Sequence, residues 1–168
     1  MIGRAMIVAL ALGWAGLAMA QAAFTPPEGD FTASFPRPPE AHGGAAADAD
    51  RPPSDRTYVD DEGDRGFLVA VSQFRTGILP RTPDSGFYGR ALELYVKASG
   101  SELKSSRPVE LAGRPAIEGS MVNADGGLMV VRLVAKGDRI YTVAWTRAPS
   151  AAEDEGVRFF DSFRLTGP

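Results

Sequence analysis

The sequence has no cysteine and a single histidine, His42. The first absence removes disulfides, thiol nucleophiles, cysteine zinc sites and thiol redox sensing. The second leaves one candidate for imidazole chemistry, standing beside Gly43 and Gly44. A catalytic histidine needs a rigid orienting partner, which a Gly/Ala stretch does not hold. A surplus of basic charge is also missing, since 18 Lys and Arg face 21 Asp and Glu for a net charge of −3. Proteins that bind nucleic acid or lie on anionic membranes present a basic patch, so both partner classes are set aside. Long apolar runs are lacking: residues 5–17 (AMIVALALGWAGL) fall short of the roughly 20 apolar residues that span a bilayer. Gly-x-Ser-x-Gly, Walker and Gly-x-Gly-x-x-Gly patterns do not occur.

What stands at the N-terminus is a leader. Arg4 supplies the positive charge, residues 5–17 the apolar region and Ala18-Met19-Ala20 a small-x-small cleavage site. The pattern predicts cleavage after Ala20, release to the periplasm or the exterior, and no stable membrane span after cleavage. No cysteine follows the site, so a lipid-modified N-terminus is excluded. Taking 20 residues from 168 leaves 148, and Arg4 is the only charge removed, so the mature chain carries about −4. That length supports one domain, residues 21–168, with a core that needs no disulfides.

The mature chain reads as mixed helix and strand. Residues 30–35 (DFTASF) alternate Phe31, Ala33 and Phe35 against Thr32 and Ser34, the period of a half-buried strand. Pro36 stops it, and residues 37–54, rich in Pro, Ala, Gly and Asp, read as a flexible loop. Residues 56–60 and 65–74 form a hairpin around Asp61-Glu62-Gly63-Asp64. A helix capped by Asp84 or Ser85 runs to about Ser99, with Phe87, Ala91, Leu94, Tyr95 and Ala98 as its apolar stripe and Gly100 ending it. Residues 102–111 contain Pro108 and belong at a sheet edge. A meander follows over 115–122, 128–135 and 139–146, turning at Gly126-Gly127 and Gly137-Asp138. Ser150-x-x-Glu153 is a capping box for a second helix with Val157, Phe159 and Phe160 inward, and Ser162-Phe163-Arg164-Leu165 reads as a short terminal strand. The sum is an α+β domain: a largely antiparallel sheet of about six strands packed with two helices.

Chemistry is sparse. Asp60, Asp61, Glu62 and Asp64 lack the Asp-x-Asp-x-Asp spacing of a calcium loop and read as a solvated turn. No metal site, cofactor or catalytic group is predicted. Tyr95, Tyr141 and Trp145 are core residues or the lining of a ligand pocket. Arg132 and Arg139 are solvated, or meet an anionic partner. Tyr95, Arg132, Tyr141 and Trp145 are thus the candidate ligand or partner surface.

A family resemblance rests on Phe35-Pro36 closing the first strand, Leu111-Ala112-Gly113-Arg114-Pro115-Ala116 leading into the meander, Gly137-Asp138-Arg139-Ile140-Tyr141, and Phe160-Asp161-Ser162-Phe163-Arg164-Leu165 at the end. The chain resembles exported bacterial domains of the PsbP-like type over residues 24–165. The resemblance implies an antiparallel sheet packed with helices and a non-catalytic accessory role in larger complexes, with no catalytic residue to carry over. The expected function is an exported, non-enzymatic accessory or protein-binding domain with a protein partner in the envelope. The alternative is a periplasmic carrier holding a small molecule or lipid between sheet and helix.

Overall fold

A computed structural model describes residues 23–43, 56–149 and 154–167. The expected leader, the capping box at Ser150 and Glu153, and positions 44–54 of the expected loop lie outside these residues.

Ten strands and two helices follow in the order β1 (Ala23–Phe24), β2 (Phe31–Ser34), β3 (Glu40–Gly43), β4 (Arg56–Asp61), β5 (Arg65–Gln73), α1 (Ser85–Ser99), β6 (Glu102–Leu111), β7 (Arg114–Val122), β8 (Leu128–Lys136), β9 (Arg139–Arg147), α2 (Asp154–Ser162) and β10 (Arg164–Leu165). The α+β class stands, and every strand pairing among the described residues is antiparallel. Seven strands form one sheet in the order β3-β4-β5-β9-β8-β7-β6, while β1, β2 and β10 form a small second layer.

Two of the ten strands left no mark in the sequence. β1 has two residues, too few for a period. β3 corrects the loop reading of 37–54: Glu40–Gly43 pairs with β4, with Gly43 opposite Arg56. All four of its residues are exposed at the sheet edge, so it needs no apolar alternation. Arg37, just before it, is tied down as well; its backbone N–H and Nε donate to the two oxygens of Asp60 at 2.8 and 2.9 Å. Asp60 is buried in β4 and does not belong to a solvated turn.

The local signals explain the rest. Asp84 caps α1 by accepting from Phe87 N at 2.7 Å, and Gly100 closes it in the left-handed conformation. Between β6 and β7, Ala112 (φ 51°) and Gly113 (φ 73°) make a two-residue turn closed by the pair Leu111–Arg114. Two positive φ values match the right-handed twist of a hairpin. Counting pairs from that turn places Pro108, opposite Ile117, in a non-hydrogen-bonded pair. The N–H that proline lacks is therefore missing from the free edge of the sheet and not from the ladder, which blunts that edge against further strand pairing.

The helices pack on opposite faces of the large sheet. On one face α1 lies on β6, β7 and β8, with Tyr88 and Leu92 packed on Ile117, Met121, Val131 and Leu133. The inward stripe of α1 is thus centred on Tyr88 and Leu92, and Leu94, expected in it, is 69 % exposed. On the other face α2 and the small sheet close an aromatic core of Phe31, Phe35, Tyr58, Phe67, Phe159 and Phe163 that also buries Leu111, Ala116 and Val134 of β6, β7 and β8. Phe159 and Phe160 face inward as expected, whereas Val157 is 53 % exposed. Gly156 occupies the inward position of that turn instead, directly against Trp145.

Candidate functional site

The four residues singled out in the sequence do not meet. Tyr141, Trp145 and Arg132 point to the α2 face of the sheet and Tyr95 to the α1 face. Each has a distinct job.

Tyr141 is buried, and its hydroxyl lies 3.4 Å from Asp30 Oδ2. The same oxygen accepts from Arg56 Nη2 at 2.7 Å and from Arg139 Nη1 at 3.0 Å. Arg56 also reaches Glu28 Oε2 at 2.6 Å, and Arg139 Nε donates to Gln73 at 2.6 Å. Arg139 is therefore committed to internal partners. Burial raises the Glu28 carboxyl, but a backbone hydrogen bond, Arg56 and Tyr58 hold it below the usual value. Burial pushes the Tyr141 phenol up. Asp30, only 4 % exposed, thus ties the start of β2 to β4 and β9 through charge-assisted hydrogen bonds. An open pocket of about 510 Å³ adjoins it, lined by Lys136, Asp138 and Thr166 among others. The Lys136 ammonium is spent on the carbonyls of Thr166 and Gly167 at 3.0 and 2.5 Å.

Arg132 sits 4.3 Å over the ring of Phe160, and its Nε donates to Glu118 at 2.8 Å. Arg107 reaches the other oxygen of Glu118 at 2.7 Å. The three are one cross-strand row, Arg107–Glu118–Arg132. Burial raises the Glu118 carboxyl, but the hydrogen bonds and charges of the two arginines outweigh it and leave it below its ordinary value. This row is a structural clamp across β6, β7 and β8 beside α2. Trp145 is wholly internal, buried beneath Gly156.

Tyr95 is the candidate that reaches an open surface. Its hydroxyl lies 3.6 Å from Met129 Sδ, and burial raises its phenol. Beside it, among the described residues, Val59, Leu68 and Ala70 on the α1 face of β4 and β5 are only half-buried. The register places Val59, Leu68 and Ala144 side by side there, with Thr57, Ala70 and Thr142 in the next row. Tyr95, Met129, Leu68 and Val59 line a pocket of about 220 Å³ that ends at Asp61. A second pocket of about 520 Å³ shares Val59 and Asp61 and runs on to Glu40 and His42. Together they form a trough beside α1. Sequence reasoning missed Leu68, Val59 and Asp61 because each lies in an ordinary strand pattern; only the strand order brings them together on one face beside Tyr95.

A seven-stranded antiparallel sheet with helices on opposite faces and a small second sheet is a PsbP-like α+β fold. The solution structure of cyanobacterial PsbP (CyanoP) from Synechocystis sp. PCC 6803 is similar to it, with a TM-score of 0.57 over 92 % of this chain and 99 % of that chain, at 13 % sequence identity. No family model matches the sequence, and no curated protein matches it.

Proposed function

We propose that this chain is an exported, non-enzymatic accessory domain that works by binding another protein in the bacterial envelope. The observation that carries the reading lies on the α1 face of the sheet: α1 contacts β6, β7 and β8, and among the described residues Val59, Leu68 and Ala70 of β4 and β5 stay only half-buried there. A half-covered, partly apolar sheet face is surface that a partner completes. The PsbP-like fold supports the accessory role, as the sequence resemblance implies. The leader pattern supports export. The buried carboxylates Asp30 and Glu118 are engaged by fixed arginines, an arrangement suited to holding layers together. The carrier reading has weaker support, because the apolar pocket at Tyr95 is small and open where a lipid site is enclosed.

The test is a pull-down of residues 21–168 from native envelope extract, with mass spectrometry of both proteins and small molecules. A stoichiometric protein partner is the expected result. A bound lipid or metabolite without a protein would replace this reading with the carrier. Sequencing the N-terminus of the exported protein tests the leader, with Gln21 expected first.

A further inference from the structure

The accessory reading says that a partner binds; the trough beside α1 says where, and of what kind. Its floor is Val59, Leu68 and Ala144, three side chains adjacent across β4, β5 and β9. One wall is α1. Phe87, Ala91, Leu94 and Ala98 recur at i, i+4, i+7 and i+11 and so share one flank of that helix. The helix connects β5 to β6, which run parallel in the sheet. A right-handed crossover turns the Phe87–Leu94 flank toward β9 and β5. This explains why the apolar stripe of the sequence is wider than the core consumes: Tyr88 and Leu92 face the sheet, while Leu94, on the same flank as Ala91, is 69 % exposed.

The dimensions select the occupant's shape. Strands lie about 4.8 Å apart, so β4, β5 and β9 present a strip roughly 10–14 Å wide, the diameter of one α-helix. Charge selects its chemistry. Asp61 and Glu40 stand at the far side of the trough, and Gly63 connects it to Asp64 and Asp125. Arg65 in the same region is taken by Glu62 and Glu155, and Arg37 by Asp60 and Glu62. The Asp61 and Asp125 carboxylates accept from the backbone N–H groups of Gly63 and Gly127 at 2.8 and 3.1 Å and add their negative charge to that rim. A second copy of this acidic chain would bring like charge to that rim, which opposes self-association. We propose that the trough receives an amphipathic helix of a partner protein, laid alongside α1, with an apolar face on Leu68 and Leu94 and lysine or arginine toward Asp61 and Asp64.

The inference rests on the accessory reading, and its test separates the two. The probe is a synthetic 18-residue helix of leucine and lysine with one apolar face, titrated into 15N-labelled residues 21–168; its twin carries glutamate for lysine. Saturable shifts at Val59, Leu68, Ala70, Leu94 and Tyr95 are expected, with the glutamate twin at least tenfold weaker. Leu94→Asp and Asp61→Asn should each weaken binding at least fivefold, and both change exposed side chains, so the fold survives. Shifts centred on α2, indifference to Leu94→Asp, or the same shifts from raising protein concentration alone would overturn the trough. In the envelope pull-down, loss of the partner with the Leu94→Asp protein supports the trough. A partner retained by that variant overturns the trough and leaves the accessory reading standing; no partner with either protein overturns the accessory reading itself.

Discussion

Gly156 of α2 lies directly against the indole of Trp145, and a Cβ at that position would stand 2.8 Å from Cε2 and closer still to Cδ2 and Cε3. The obstacle is a buried ring, which cannot swing aside as a chain end can. Gly156→Ala therefore forces α2 off the sheet, at about 1–3 kcal/mol for overpacking against about 1 kcal/mol of regained helix propensity. We expect a melting temperature lower by roughly 2–8 °C. Gly119→Ala is the control, because its nearest neighbour is the terminal Cδ1 of Leu92 at 2.7 Å, the far end of a flexible side chain and not a rigid ring. A loss at Gly119 equal to that at Gly156 would refute the packing argument.

Asp30→Asn removes the charge shared by Arg56 and Arg139. Breaking one side of a buried charge cluster typically costs about 3–5 kcal/mol. The urea midpoint should fall with an unchanged slope. A midpoint within error of the native protein would mean that water replaces the carboxylate freely, and that Asp30 is no tie.

Glu118 gives a pH signature. Its folded carboxyl lies below the ordinary 4.5, so its contribution is fully present above that value and is lost as pH falls through the lower folded one. The stability difference between the native protein and Glu118→Gln should be constant near neutrality and shrink in acid below about pH 4.5. A gap that instead widened on acidification would place the folded value above the ordinary one.

At the β6–β7 turn Ala112 holds φ 51°. Asparagine tolerates that region better than alanine and precedes glycine in the favoured two-residue turn. Ala112→Asn should stabilise the fold by about 0.5–1 kcal/mol, read as a rise of roughly 1–4 °C in melting temperature. No rise would show that the turn is held by its strands alone.

Gly43 and Arg56 face each other across β3 and β4, so an Asn-Gly pair can close the hairpin in place of residues 44–55. That replacement should leave the melting temperature within about 3 °C. Extending the deletion back to residue 37 removes the donors of buried Asp60, for a further loss of about 1–3 kcal/mol. Equal melting of the two deletions would make β3 a dispensable strand.

Much of this architecture is written locally. Phe31, Ala33 and Phe35 alternate and are all buried, Asp84 and Gly100 bound α1, and Arg164–Leu165 pairs with β2. What could not be read is whatever depends on strand order. Leu94 belongs to a sound helical stripe, yet it is exposed because α1 turns Tyr88 and Leu92 to the sheet instead. Glu118 sits among apolar residues in β7, and its reason appears only when Arg107 and Arg132 are brought level on either side. The proposed site suffered likewise: Tyr95 could be picked out by type, but Val59 and Leu68 become its neighbours through a pairing that spans β4, β5 and β9.

The offset of the two helices has a consequence for how the native state breathes. Since α1 lies on one face and α2 with the small sheet on the other, the sheet separates two cores, and one layer can lift while the core beneath the other stays closed. Amide exchange should therefore resolve two subglobal openings, one exposing β6 and β7 and one exposing β4 and β5. The amides of β8 and β9, flanked by strands on both sides and shared by both halves, would then report only the global unfolding reaction.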